Sequence, residues 1–128
     1  MKLLLDTHLL LWTIGVSSRL SSQARLLIDD FDNTVYFSAI SIWEIAIKSS
    51  RRRTDFLIDP TLVYHALLDR DFKEAPVTGD HALQIMALPH IHGDPFDRLL
   101  VAQAMVEGLT LLTTDGQIAR YPGPIKRV

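Results

Sequence analysis

Four acidic side chains sit in contexts where a carboxylate is unusual. Asp6 closes the apolar run Leu3-Leu4-Leu5, and Glu44 is set inside Ile42-Trp43-Glu44-Ile45-Ala46-Ile47. Asp97 falls three residues after Asp94, and Asp115 follows the apolar segment 109–112 through Thr113-Thr114. Carboxylate oxygens suit a hard divalent cation such as Mg²⁺, which takes few protein ligands and keeps several waters. A cation held this way orients and activates water and offsets charge on a phosphodiester. Carboxylates crowded together repel one another, so a converging set implies either a metal or raised pKa values. Each acid also has a local explanation. Asp6, Asp94 and Asp115 can cap the helices that follow them. Ser41 and Glu44 have the Ser-x-x-Glu spacing of a capping box, and Asp97 lies in a first helical turn, where the dipole favours acids. Capping explains the positions one by one but not a convergence of four.

The elements that must carry these residues can be read from the pattern. Lys2 to Leu5 reads as a buried strand, and Leu9 to Ile14 as a short helix stopped by Gly15 and Ser17-Ser18. Ser21-Ser22 offers an N-cap to a helix with Ala24, Leu27, Ile28 and Phe31 at helical spacing, closed by Asp32-Asn33. Val35-Tyr36-Phe37 is a second strand. A helix over Ile40–Ser50 is opened by Ser38 or Ser41, and Arg51 to Asp59 is polar and irregular. Pro60 suits the first turn of a helix reaching Arg70. Ala75-Pro76-Val77 reads as a minimal strand and Gly79 to Leu88 as a short helix. Asp94-Pro95 places a cap and a first-turn proline on a helix that runs to Glu107 and stops at Gly108. Leu109 to Leu112 is a further strand; a short helix and a terminal strand around Pro124–Lys126 follow. Strands alternating with helices predict an α/β fold with a central parallel sheet covered on both faces. Ligands of such sheets sit beyond the carboxyl ends of the strands, which is where Asp6 and Asp115 fall.

The 128 residues suit one domain, expected to span 1–128, with no repeat, linker or low-complexity stretch. The absence of cysteine excludes disulfides and thiolate metal sites. The opening Met1-Lys2-Leu3-Leu4-Leu5 is broken by Asp6 and His8 and lacks a small-residue cleavage site, so it does not read as a signal peptide. No apolar run approaches the ~18 residues of a membrane span. The expectation is a soluble, cytoplasmic protein. A net charge of −2 does not announce nucleic-acid binding. If four acids are committed to a metal, however, the remaining charges are 13 positive against 11 negative. Charge therefore neither supports nor excludes an RNA substrate.

Four segments together resemble the PIN-domain family. They are Leu5-Asp6-Thr7-His8, Ser41-Ile42-Trp43-Glu44-Ile45-Ala46-Ile47-Lys48, Asp94-Pro95-Phe96-Asp97-Arg98-Leu99-Leu100-Val101-Ala102-Gln103-Ala104 and Leu112-Thr113-Thr114-Asp115. The likeness is to the VapC-like toxins of bacterial toxin–antitoxin pairs and runs from residue 3 to about 121. It implies a three-layer α/β/α fold, a Mg²⁺- or Mn²⁺-dependent endoribonuclease, inhibition by a cognate antitoxin protein, and a homodimer. By position, Asp6, Glu44, Asp97 and Asp115 match the catalytic quartet. Asp6 and Asp97 would bind metal directly, and Glu44 and Asp115 through water or at a second metal position. Thr7 and Thr114 match hydroxyls that would orient water or phosphate, and Asp94 is shared but structural. The resemblance implies in-line hydrolysis by a metal-activated water, leaving a 5′-phosphate and a 3′-hydroxyl. After Lys48 a Gly-Lys-Leu-type turn is replaced by Ser49-Ser50-Arg51-Arg52-Arg53-Thr54.

Other residues carry weaker signals. Arg51-Arg52-Arg53 is either an RNA-phosphate contact or a solvated basic turn. Arg98, beside Asp97, is placed to steer a phosphate or pair with a carboxylate. His8, His90 and His92 raise a zinc site, against which stand the missing cysteines and the two-residue spacing of His90 and His92. Leu9, Leu10, Trp12, Trp43 and Ile47 read mostly as core, with part available to a dimer surface. Two rival functions are an aspartyl phosphatase and a receiver-like, non-catalytic partner-binding module. The first expects an Asp two residues after Asp6, where His8 stands. The second expects no metal-dependent cleavage.

Overall fold

The computed structural model describes residues 1–51 and 58–128. Arg52, Arg53 and Thr54 lie outside the described residues, so the basic turn proposed there does too.

The chain opens with β1 (Lys2–Leu5), whose three leucines have no exposed surface. A run of consecutive buried apolar residues is what a parallel sheet covered on both faces requires. Asp6 ends it and caps α1 (Thr7–Ile14), accepting a hydrogen bond from the Leu9 amide at 2.9 Å. Helix α2 (Ser22–Asp29) is capped by Ser21 and buries Ala24 and Ile28. Phe31, expected on that apolar face, lies beyond the helix end and is fully exposed. The spacing fitted, but the helix stops at Asp29 before it can bring Phe31 round.

Strand β2 (Thr34–Ser38) leads directly into α3 (Ala39–Ser50), and Ser38 is the cap. That decides between the two expected caps. Ser41 lies inside the helix, so it and Glu44 do not form a capping box. Helix α4 (Pro60–Asp69) starts from Asp59, with the proline in its first turn. Strand β3 covers Lys73–Ala75 rather than 75–77. Pro76 has no N–H to give a ladder, and the strand ends before it. Helix α5 (Gly79–Gln84) passes into a 3₁₀ turn at Ile85–Ala87, so the single helix expected to Leu88 is two pieces. Helix α6 (Pro95–Glu107) is capped by Asp94 and ends on Gly108 at φ +68°. Strand β4 (Thr110–Thr113), a 3₁₀ turn at Ile118–Arg120 and β5 (Ile125–Arg127) complete the chain.

The five strands among the described residues are all parallel, in the order β3-β2-β1-β4-β5. The chain builds outward from β1 to β3 and then returns to lay β4 on the other side of β1. The order therefore reverses between β1 and β4, and at such a switch point the connections diverge and open a crevice beyond the strand ends.

Alternation along the strands divides the core in two. Leu3, Leu5, Val35, Phe37 and Leu112 pack with Leu9, Leu10, Ala24, Ile28, Ile45, Val63 and Leu67 of α1 to α4. Leu4 and Leu111 pack with Leu100, Val101, Ala102 and Ala104 of α6, together with Leu88, Ile118 and Tyr121. The result is the expected three-layer arrangement. Helix α3 contributes Ile40 to one cluster and Ile45 to the other, so it starts at the carboxyl edge between the layers. Each fully buried leucine is worth about 1.5–3 kcal/mol, which is the force that fixes this edge. Among the described residues no helix is long and apolar enough to cross a membrane.

Candidate active site

Strand pairing sets the first pair of acids. Leu5 is in register with Leu112, and the Asp6 amide donates to the Leu112 carbonyl at 3.1 Å. The next residue of β4, Thr113, therefore stands beside Asp6. Its buried hydroxyl donates to Asp6 Oδ2 at 2.6 Å and accepts from the Asp115 amide at 2.9 Å. One threonine thus clamps the two strand ends together. Asp115 turns its own Oδ1 to the Gln117 amide at 2.7 Å, so it does cap the turn that follows.

The residue after Asp6 reaches the second pair. Thr7 Oγ1 donates to Glu44 Oε1 at 2.8 Å and lies 3.0 Å from Ser41 Oγ. A hydroxyl has one proton; with that of Thr7 given to the carboxylate, Ser41 donates to Thr7. Glu44 is 4% exposed, and its Oε2 is held by Lys48 Nζ at 2.6 Å, one turn along α3. Asp97, in the first turn of α6, has Oδ2 3.0 Å from His92 Nε2, and its amide donates to Asp94 at 3.1 Å.

Charges within the set act on one another. Burial pushes the Asp6 carboxyl above its ordinary value; Thr113, the Leu9 amide and His8 oppose this, and Asp115 adds to it. Burial also pushes Asp97 up, to about 6, with repulsion from Asp94 and Glu44 adding to the rise and His92 opposing it. The structure places the acids as two pairs, Asp6 with Asp115 and Asp97 with Glu44, and Thr7, the residue after Asp6, reaches Glu44. Capping holds for Asp6 and Asp115, which do this local work side by side at one edge.

Two expectations change and one residue is added. The hydroxyl engaged at Asp6 is that of Thr113, and Thr114 follows the strand end half-buried. Thr7 holds Glu44 rather than standing free for water or phosphate. Arg98 is buried and turned away, donating to the Pro89 carbonyl at 2.8 Å and the Tyr121 hydroxyl at 3.0 Å, with its guanidinium over the Tyr121 ring. It holds a loop instead of steering a phosphate. Thr113 and Tyr121 were not foreseen at the site, and Ser41 and His92, raised only as a cap and as a zinc candidate, serve Thr7 and Asp97 instead. Only Thr113 carried a usable signal, as the last inward residue of a strand that ends beside Asp6. Of the apolar residues considered for a dimer surface, Leu9 and Leu10 are buried, whereas Trp43 is 58% exposed with its ring 5.4 Å from that of Phe96.

The donors here are hard oxygens held in a fixed frame. Among the described residues no three His, Asp or Glu side chains form a ready-made chelate. Mg²⁺ does not need one, since one or two carboxylates with waters suffice. Mutual repulsion and a raised Asp97 show that the uncompensated set is electrostatically costly, and a divalent cation would relieve that cost. The residues fit such an ion.

The sequence profile described as "PIN domain" matches residues 3–124. The chain is 33% identical over 125 residues to Ribonuclease VapC22 of Mycobacterium tuberculosis, covering 95% of each. Among solved structures, VapBC2 of Rickettsia felis, bound to a DNA fragment from its promoter, superposes with a TM-score of 0.71 at 16% identity, covering 100% of this chain and 99% of that one. A toxin–antitoxin complex from Klebsiella pneumoniae gives 0.63 at 18% identity, covering 96% and 94%. These likenesses agree with the five-stranded parallel sheet described above.

Proposed function

This chain belongs to the PIN-domain family, and from that premise we propose that it is the ribonuclease toxin of a toxin–antitoxin pair, an endonuclease acting with Mg²⁺ or Mn²⁺. The observation that carries the reading is the pairing of Asp6 with Asp115 and of Glu44 with Asp97, linked through Thr7 at the carboxyl edge of the sheet. It is supported by a relative named as a ribonuclease and aligned along nearly the whole length of both chains. Residues 1–128 act as one nuclease domain in the cytoplasm, where RNA and the antitoxin are both at hand.

In this reading Asp6 and Asp97 would hold the cation, and Glu44 and Asp115 would act on it through water. The cation, when bound, supplies a more acidic water and offsets charge on the phosphodiester. Thr113 at Oδ2 and the Leu9 amide at Oδ1 fix the orientation of the Asp6 carboxylate and leave each oxygen a further lone pair for that task. Ser41 and Thr7 present Glu44 in one orientation while Lys48 holds its other oxygen, and so its burial is tolerated. A water oxygen attacks phosphorus, the bond to the 3′ oxygen breaks and that oxygen takes up a proton. The products are a 5′-phosphate and a 3′-hydroxyl. The solved complexes of similar fold support a protein antitoxin as partner, and exposed Trp43, Leu83 and Met86 support burial in a homodimer.

The test is cleavage of labelled structured RNAs by purified protein with Mg²⁺, with Mn²⁺ and with EDTA, alongside Asp97→Asn. Metal-dependent cleavage that the substitution removes is expected. Full cleavage by Asp97→Asn, or by the wild type in EDTA, would sink the assignment.

A further inference from the structure

Behind Asp97 lies a run of polar groups that the reaction above leaves unused. Arg98 Nη1 donates to Tyr121 Oη at 3.0 Å, and the His92 backbone amide lies 3.3 Å from the same oxygen. His92 Nδ1 is 2.8 Å from Tyr121 Oη, and His92 Nε2 is 3.0 Å from Asp97 Oδ2. Tyr121 and Arg98 are 4% and 8% exposed, so these groups must satisfy one another with little help from solvent.

Counting protons decides the roles. A phenol oxygen accepts about two hydrogen bonds and donates one. The two N–H groups directed at Tyr121 Oη fill its accepting capacity. Its single proton can go to His92 Nδ1 at 2.8 Å or to the His92 carbonyl at 3.3 Å. If Nδ1 carried a proton, the phenol oxygen would face three donors, and its own proton would be left with the longer contact. The consistent arrangement has Tyr121 donating to Nδ1, so that the ring proton sits on Nε2 and is given to Asp97.

We infer that His92 is the positioning residue of Asp97: its neutral Nε2–H tautomer, selected by Tyr121 and anchored by Arg98, binds Oδ2 and leaves Oδ1 for the cleft. The inference rests on Asp97 belonging to the active site. It also gives the buried Arg98 a purpose. Arg98 follows Asp97 in sequence, yet acts on it from behind, through Tyr121 and His92.

The direct test uses the full chain labelled with ¹⁵N-histidine, examined by long-range ¹H–¹⁵N correlation at pH 8 without metal. His92 is expected with Nδ1 unprotonated and Nε2 protonated, and Tyr121→Phe is expected to mix the two tautomers. A wild-type His92 protonated on Nδ1 overturns the inference whatever the enzyme does. In the RNA assay His92→Ala should lower kcat by about 10–100-fold with little change in KM, the usual loss when an outer partner of a metal-site residue is removed. His92→Gln, which keeps an N–H donor within reach of Asp97, should recover part of that loss. Equal losses in both variants, at full folded content by circular dichroism, would overturn it as well. A wild-type protein that cleaves no RNA but shows the Nε2–H tautomer and its Tyr121 dependence would count against the nuclease reading and leave the positioning of Asp97 standing.

Discussion

At the scale of single residues, the acids of the site carry opposite signs for stability and function. Asp97 has its pKa raised from 3.8 to about 6, chiefly by burial. Between those values the folded chain keeps a proton that the unfolded chain releases, so stability falls as pH rises through that window. Above it the full penalty is present. After solvent screening at a partly exposed group this is on the order of 1 kcal/mol. Asp97→Asn should therefore raise the Tm of the metal-free protein at pH 7 by a few degrees and abolish cleavage, and at pH 3.5 the Tm gain should vanish. Calorimetry at the two pH values checks this; a lower Tm at pH 7 would contradict it. Metal affinity should likewise weaken as pH drops below about 6, since the cation must displace a proton. Thr113 behaves differently. Thr113→Val removes a buried donor and should cost about 1–3 kcal/mol in denaturant unfolding. It also removes a contact that lowers the Asp6 pKa, so cleavage should fall at neutral pH and recover partly as pH is raised.

At the scale of elements, helix ends set the site. Asp94 accepts from the Phe96 and Asp97 amides at 2.9 and 3.1 Å, fixing the turn from which Asp97 projects. Asp94→Ala should cost about 1 kcal/mol and lower activity, whereas Asp94→Asn keeps the cap and should retain most of it. Loss of activity in Asp94→Asn equal to that in Asp94→Ala would show that the charge, not the cap, is what matters. At the end of α1, exposed Val16 sits at φ +51°. This is a left-handed conformation costly for a β-branched residue, so Val16→Gly should stabilise by about 1 kcal/mol in denaturant unfolding. The carboxyl-edge placement of Asp6 and Asp115 was legible because each follows an apolar run, and the α6 cap because Asp-Pro leaves few alternatives. Ser41 was not legible as a partner of Thr7, because the choice of Ser38 as cap depends on where β2 ends. His92 and Tyr121 are 29 residues apart, and only folding brings them to 2.8 Å. Arg98 was misread for the same reason. Its neighbour in sequence is Asp97, but its partners come from residues 89 and 121.

At the scale of the whole molecule, one parallel sheet gathers residues from both ends of the chain. Expression of the wild-type chain should arrest growth, Asp97→Asn should not, and co-expression of a cognate antitoxin should restore growth; plating efficiency reads all three. The proposed homodimer should sediment at about twice the 14.5 kDa of one chain. The Thr113–Asp6 hydrogen bond has a consequence for how the protein is made. It joins residues 107 apart, and β1, the first strand translated, lies mid-sheet with its β4 neighbour still to come. At about 5–20 residues per second, the ribosome needs roughly 5–20 seconds to travel from one partner to the other. Through that interval the nascent chain carries Asp6 and Thr7, and later Glu44, but lacks the strand that completes their frame. A chain released before Thr113 therefore lacks the hydroxyl that holds Asp6, and the acidic edge takes shape only after β4 has been made.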